Sequence, residues 1–320
     1  MVHLVDSPAL SVPPRRLRLD GWQVITAVVL DGIASPHTRR AYSQALEEFV
    51  IWYRDDPHRE FNKATVQRYR TELENKGLAP SSINVRMSAI RRLASEAGDN
   101  DLLSPALVAG ISRTKGAKRS GLRIGQWLTA EQAQRLLAVP DPSTIKGARD
   151  QAILSLLLGA GLRRAEVVAL TVAHIQNRED RWLIVDLVGK HGRIRSVPIP
   201  DWAHATVVRW LNVAPTVSGP IFRPVTRYGL VEPGRLSSQA VFNIVREYSN
   251  KAGIPISPHD LRRSFAKLAR HGNAPLEQIQ LSLGHASVVT TELYLGTKQN
   301  LRDAPCDRLG IHVRTDTATP

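Results

Sequence analysis

Two spacings of apolar residues follow one another along this chain, and their order predicts its architecture. From Gly21 to about Ile111 the spacing is helical. Ser35-Pro36 opens a helix in which Tyr42, Leu46, Phe49 and Tyr53 recur at steps of three or four. A second helix is expected from about Ala64 to Asn75, stopped by Gly77. A third, capped by Ser81 or Ser82, carries Ile83, Met87, Ile90 and Leu93 on one face before Gly98. After a basic, glycine-containing stretch, Thr129 and Gln132 form a capping box that opens a second domain, followed by a buried helix over Arg149 to Leu158. That helix ends near Gly159 or Gly161, where a tight turn leads to a new helix at Arg163 and Arg164. The period then changes: Trp182–Val188 and Arg195–Ile199 read as strands joined by the glycine-bounded turn Gly189–Gly192. Helices return at Trp202–Trp210, at Ser238–Lys251, and from Ser257-Pro258 to Gly272. A short apolar helix around Leu276, Ile279 and Leu283 follows, then a brief helical run holding Val288, Val289, Leu293 and Tyr294. The expected fold class is mainly α with a small β-sheet. Its parts are an N-terminal tail over 1–19, a helical domain over 20–112, a linker over 113–126, an α+β domain over 127–308 and a C-terminal tail over 309–320.

Composition narrows the partners. A chain of 320 residues can bury two ordinary cores, and a formal charge of +14 calls for an anionic partner. DNA fits that charge better than a membrane does, because no apolar run approaches the length of a spanning helix. Arg86, Arg91 and Arg92 decorate the third helix. Arg113, Lys115, Lys118, Arg119 and Arg123 make the linker basic without a single acid, so it should be extended, flexible and drawn to phosphates. The basic patch Pro13–Arg18 reads as a solvated tail. Cys306 is the only cysteine, which rules out an internal disulfide and suits a reducing cytoplasm. Met1 to Leu10 lacks the basic-then-apolar order of a secretory signal. There is no internal repeat and no low-complexity segment.

The chemistry-bearing residues gather late in the chain. His259 and Arg262 lie three apart on one helix face, His285 follows Gly284, and Tyr294 comes nine residues later. Upstream, Arg163 stands at a helix start with Glu166 three residues on, placed to orient it, and Lys190 sits at the turn tip as a candidate proton donor. Arg193 and Arg195 are poorer donors, because a guanidinium keeps its proton. Taken singly, each residue is more often a solvated helix face or core filler. Taken together they suit attack on a phosphodiester: arginines hold the nonbridging oxygens and a tyrosine oxygen can be the nucleophile. No zinc signature and no nucleotide-binding glycine loop with its lysine is present, so no cofactor and no metal is expected.

With these pieces in order, Gly161-Leu162-Arg163-x-x-Glu166, Gly189-Lys190, His259-x-x-Arg262, Leu283-Gly284-His285 and Tyr294, the chain resembles a tyrosine recombinase of the phage integrase and Xer type over roughly residues 20 to 305. The resemblance implies a helical core-binding, SAM-like domain followed by a tyrosine recombinase catalytic domain. By it, Arg163 and Arg262 would clamp the scissile phosphate and Lys190 would protonate the departing 5′ oxygen. His259 would assist proton transfer, His285 would bond the phosphate, and Tyr294 would form a 3′-phosphotyrosyl intermediate. It further implies double-stranded DNA with inverted half-sites, a homotetramer with a dimer per site, and strand exchange through a Holliday junction in a cytoplasmic, prokaryotic or phage setting. A partner recombinase or accessory protein would be compatible with it. Two departures stand out: Arg263 occupies a position where many members carry a second histidine, and Leu295-Gly296 replaces a Tyr-x-His ending. The competing readings are a type IB topoisomerase-like swivelling enzyme and a catalytically inactive DNA-binding regulator of the same fold.

Binding that rests on phosphate contacts should respond steeply to salt. DNA affinity is expected to fall by ~10³ or more over a fourfold rise in salt concentration. A titration by fluorescence anisotropy at several salt concentrations checks this, and a flat response would contradict the basic-stretch reading.

Overall fold

The structure is a computed structural model, described here for residues 19–118, 126–189 and 192–295. Arg119, Arg123 and Lys190 lie outside the described residues, as do most of the N-terminal tail and the whole segment after Leu295. The chain divides into two compact units, Met1–Leu122 and Arg123–Pro320. Among the described residues no helix is long and apolar enough to cross a membrane.

The first unit is all helix: α1 (Leu19–Asp31), α2 (Pro36–Arg54), α3 (Lys63–Asn75), α4 (Pro80–Asp99) and α5 (Pro105–Ser112). Ser35 caps α2 by accepting the Thr38 N–H, as its sequence predicts. The apolar stripes of α2 and α4 meet in a core built on Leu46, Phe49, Ile83, Met87, Ile90 and Leu93. An aromatic cluster of Trp22, Phe49, Trp52, Tyr69 and Phe61 closes it, with neighbouring ring centroids 4.9–6.1 Å apart.

Two expectations change here. Helix α4 starts at Pro80 with Ala79 as its cap, because the fixed φ of proline sets the first turn and leaves Ser81 and Ser82 inside it. Gly98 lies in the last turn of α4, where a Cβ would come 2.6 Å from a methyl of Val108 on α5. That glycine is a packing device between two helices. The stretch Arg113–Lys118, expected to be extended and free, is tied to the first unit instead. Asn84 donates to the Ala117 carbonyl at 3.1 Å and accepts its N–H at 2.8 Å, Arg70 donates to the Lys115 carbonyl at 3.1 Å, and Arg91 donates to the Thr114 carbonyl. Arg91 is therefore spent on backbone. Arg86 is likewise held by both oxygens of Glu48 at 2.8 and 3.1 Å, and Arg92 pairs with Glu96 at 2.6 Å.

The second unit opens with the anticipated capping box: Thr129 and Gln132 exchange bonds of 2.9 and 3.2 Å at the start of α6 (Ala130–Ala138). Next comes α7 (Ile145–Gly159), buried from Gly147 to Leu158 and so the centre of this core. Even its polar residues are enclosed. Arg149 and Asp150 pair at 2.7 Å, and the Tyr248 hydroxyl donates to Asp150 at 3.1 Å. After the short α8 (Arg164–Ala169) an antiparallel sheet runs in the order β1 (Ile175–Arg178), β2 (Arg181–Val188), β3 (Ile194–Pro198). The first strand was not foreseen, because Gln176, Asn177 and Arg178 lack any alternation; it forms by pairing Ile175 with Ile184 and Arg178 with Arg181. Helices α9 (Asp201–Val213), α10 (Ser238–Lys251), α11 (Pro258–His271), α12 (Leu276–Leu283) and α13 (Val288–Leu295) complete the unit.

Ala is normally the better helix former than Gly by about 1 kcal/mol. At position 98 the contact with Val108 reverses that sign. Gly98→Ala is expected to lower the melting temperature, and Val108→Ala in the same chain to restore it, both read by thermal unfolding of the full chain.

Candidate active site

The site is assembled from α8, β3, α11, α12 and α13 in the second unit. Gly161 sits at φ +60°, a left-handed turn that L side chains rarely adopt, and a Cβ there would approach Phe265 to 2.6 Å. The turn lets the chain leave the buried end of α7 and present Arg163 as the cap of α8. Glu166, one turn into α8, accepts the Arg163 backbone N–H at 2.8 Å and its guanidinium at 2.7 Å. The same carboxylate accepts both terminal nitrogens of Arg195, on β3, at 3.0 Å each. Arg262 approaches it from α11 at 3.9 Å.

Helix α11 starts as the Ser-Pro dipeptide predicts, with Ser257 as cap and Pro258 in the first turn; Asp260 accepts the Ser257 N–H at 3.0 Å. One turn of helix then sets His259 and Arg262 on a common face. Arg262 is 1% exposed, and its guanidinium donates to the carbonyls of Gly161 and Leu283. It thereby joins the end of the α7 turn to the end of α12. Gly284 ends α12 at φ +60°, and His285 returns its N–H to the Gln280 carbonyl at 3.2 Å. The His285 ring meets the Thr291 hydroxyl at 3.0 Å.

Helix α13 brings Tyr294 against both imidazoles, edge to face. The ring centroids lie 5.4 Å from His259 and 5.3 Å from His285. The Tyr294 hydroxyl donates to the His259 carbonyl at 3.3 Å. Its ring packs partly against Ala266, Ile279, Leu283 and Leu295, a small apolar cluster formed by α11, α12 and α13. Arg163, Glu166, His259, Arg262, His285 and Tyr294 are thus brought together.

Charge is divided unevenly among these groups. Burial pushes the Glu166 carboxyl up, but hydrogen bonds from Arg195 and the Arg163 N–H, with the charges of both arginines, leave it below its usual range. Burial first, then Arg262 and Arg163, press His285 down to about 4. His259 is lowered by burial, Arg263 and Arg262. Both imidazoles are therefore neutral near neutral pH, while the positive charge resides on guanidiniums. Burial raises the Tyr294 phenol, and Arg262 and Arg263 oppose that shift.

Two residues of the site escape sequence reasoning. Arg195 had been set aside as a poor proton donor; the permanent charge behind that judgement is what fits it to a buried carboxylate. The strand period marks it only as one position on β3. Arg263, noted solely as a departure, places its guanidinium carbon 5.1 Å from the Tyr294 ring centroid and a nitrogen 3.6 Å from Asp260.

Comparison with known proteins agrees across both units. Residues 126–300 match the family model described as the phage integrase family, and residues 28–99 match the phage integrase N-terminal SAM-like domain. The chain is 30% identical over 276 residues to the tyrosine recombinase XerA of Thermococcus kodakarensis, covering 84% of this chain and 88% of that one. It is 32% identical over 275 residues to the tyrosine recombinase XerD of Neisseria meningitidis serogroup B, covering 74% and 88%. Among solved structures, the XerH site-specific recombinase in a post-cleavage complex with palindromic difH substrate aligns with a TM-score of 0.68 at 18% identity, covering 89% of this chain and 88% of that one. A lambda integrase dimer on a COC′ core site aligns at 0.66 and 17% identity, covering 88% and 98%. At those identities the likeness to the solved structures is one of fold.

Removing the charge of Glu166 would leave Arg163, Arg195 and Arg262 facing one another without compensation. Glu166→Gln is expected to destabilise the second unit by about 3 kcal/mol. Denaturant unfolding curves of the variant and wild type measure it; equal stability would show that the arginines do not need the carboxylate.

Proposed function

The chain belongs to the phage integrase family of tyrosine site-specific DNA recombinases, and we propose that it cuts and rejoins DNA through a covalent bond to Tyr294. The observation that carries this reading is the seat of Tyr294 between His259 and His285, beside the arginines that Glu166 organises.

In the proposed step the Tyr294 hydroxyl leaves the His259 carbonyl and its oxygen bonds to phosphorus. The phenolic proton passes to the neutral imidazole of His259, and the bond from phosphorus to the 5′ oxygen breaks. Lys190, which follows β2 in the sequence, returns a proton to that oxygen. A 3′-phosphotyrosyl bond and a free 5′ hydroxyl result. A 5′ hydroxyl of another strand reverses the same chemistry, so no external energy source is required. Arg163 and Arg262 hold the two nonbridging oxygens, which carry more charge in the transition state than in the ground state. Beside its two carbonyl bonds Arg262 keeps further N–H donors with which to do so. Neutral His285 donates a hydrogen bond to the same phosphate rather than a second charge.

On DNA we expect a dimer on each pair of inverted half-sites, a tetramer on two duplexes, and strand exchange through a Holliday junction, serving the integration, excision or resolution of a mobile element. Two proteins of similar fold support this: XerH is bound to a palindromic difH substrate, and lambda integrase is a dimer on a COC′ core site. For phosphate contacts outside the catalytic centre, the exposed Arg113, Lys115 and Lys118 are better placed than Arg86, which Glu48 holds, or Arg91, which donates to the Thr114 carbonyl.

A nicked suicide duplex that loses its short fragment after cleavage should trap the adduct. We expect a shifted band on a denaturing protein gel, formed in the presence of chelator and absent in Tyr294→Phe. The same band in Tyr294→Phe would overturn the assignment of the nucleophile.

A further inference from the structure

Arg195 stands apart from the residues that the proposed reaction uses, yet it contacts several of the elements that position them. Its side chain is 10% exposed and makes a two-pronged bond to the Glu166 carboxylate, 3.0 Å on each side. Its remaining nitrogen, Nε, donates to the Ser282 carbonyl at 2.9 Å. Ser282 lies in the last turn of α12, next to Leu283, whose carbonyl receives Arg262, and three residues before His285. The path of the side chain is shaped to pass there. A Cβ on Gly284 would come 3.0 Å from Cδ of Arg195, and one on Gly189 would come 3.1 Å from its Nη1. Two glycines of the site are thus in close contact with this one arginine.

The consequence follows from how Glu166 is shared. One carboxylate oxygen accepts both Arg163 and Arg195, and the other accepts Arg195 and the Arg163 backbone N–H. Arg195 saturates the carboxylate, so Arg163 is bound through a single guanidinium nitrogen and keeps its other donors for an anion. Without Arg195, Arg163 would be free to turn both prongs onto Glu166, the geometry that arginine and carboxylate prefer.

We propose that Arg195 is a positioning residue for strand cleavage: it occupies Glu166 so that Arg163 faces the phosphate, and it locks that clamp to the α12 turn bearing His285. This rests on the reading of the site as one for phosphodiester cleavage. Arg195 itself need not touch DNA.

The test compares two substrates in the suicide-duplex assay with the full chain. One carries the natural phosphodiester and the other a methylphosphonate at the scissile position, which lacks the negative charge that Arg163 would hold. On the phosphodiester, Arg195→Met is expected to slow adduct formation by on the order of 10²-fold through misplacement of the clamp. On the methylphosphonate that penalty should collapse towards unity. Equal penalties on both substrates would make Arg195 a merely structural residue and overturn the proposal, as would no loss on either. Where the methylphosphonate gives no wild-type adduct, the decision is read in an Arg163→Lys background. There, adding Arg195→Met should slow cleavage far less than it does in the wild-type background, and an unchanged penalty overturns the proposal. If Arg195→Met fails to give a folded chain by thermal melt, Arg195→Lys is measured in the same way, since a lysine keeps the charge but cannot span both carboxylate oxygens. Wild-type adduct formation on the phosphodiester is the control. Its absence would overturn the cleavage reading itself, whereas its presence with equal penalties overturns only the role of Arg195.

Discussion

A carboxylate buried among guanidiniums is the constraint on which the catalytic unit turns. Glu166 is 3% exposed and faces Arg163, Arg195 and Arg262. Isolated in that position the carboxylate would take up a proton, and isolated there the arginines would repel one another. Together they can be enclosed, because each compensates the burial of the other. The balance is deliberately incomplete. Three cations share one anion, so an excess of positive charge remains at the place where the ends of α7, α11 and α12 converge, and a phosphate is the kind of group that would complete it.

That excess also sorts the remaining chemistry. Arginines cannot exchange protons near neutrality, so they can only hold charge, while the two imidazoles, kept neutral by burial and by those arginines, remain able to move a proton or donate a hydrogen bond. Tyr294 lies edge-on to both imidazoles with Arg263 over its ring. A phenol raised by burial and opposed by nearby positive charge is held protonated in the free protein and becomes reactive where a proton acceptor is at hand. The backbone bonds of Arg262 to Gly161 and Leu283 tie the turn after α7 to the end of α12.

Much of this was legible in the sequence where the cause is local. Ser35-Pro36, Thr129 with Gln132, and Ser257-Pro258 open helices because a cap is made within one turn of chain, so the residues that decide it are neighbours in sequence. The spacing of His259 from Arg262 likewise fixes a shared helix face. Where the deciding partner is distant, local reading failed. Nothing local marks Gly98 as a packing position until Val108 is seen against it, and β1 has no strand pattern until β2 supplies its hydrogen bonds. Arg113–Lys118 reads as a free basic stretch until Asn84 and Arg91 take hold of its backbone.

The sequence by itself therefore pointed to the helical class and the two-part order, which follow from composition and short-range spacing, and, through its resemblance to a known family, to candidate residues for holding a phosphate and attacking it. Only the tertiary structure decided which arginines serve which partner. Arg86 and Arg91 are committed to Glu48 and to backbone, Arg195 is brought from a strand onto Glu166, and Arg263 is laid over Tyr294. The physical reason is that a guanidinium looks the same in any sequence. Its role is set by the anion, carbonyl or ring that folding places within reach, and those partners lie as many as 101 residues away along the chain.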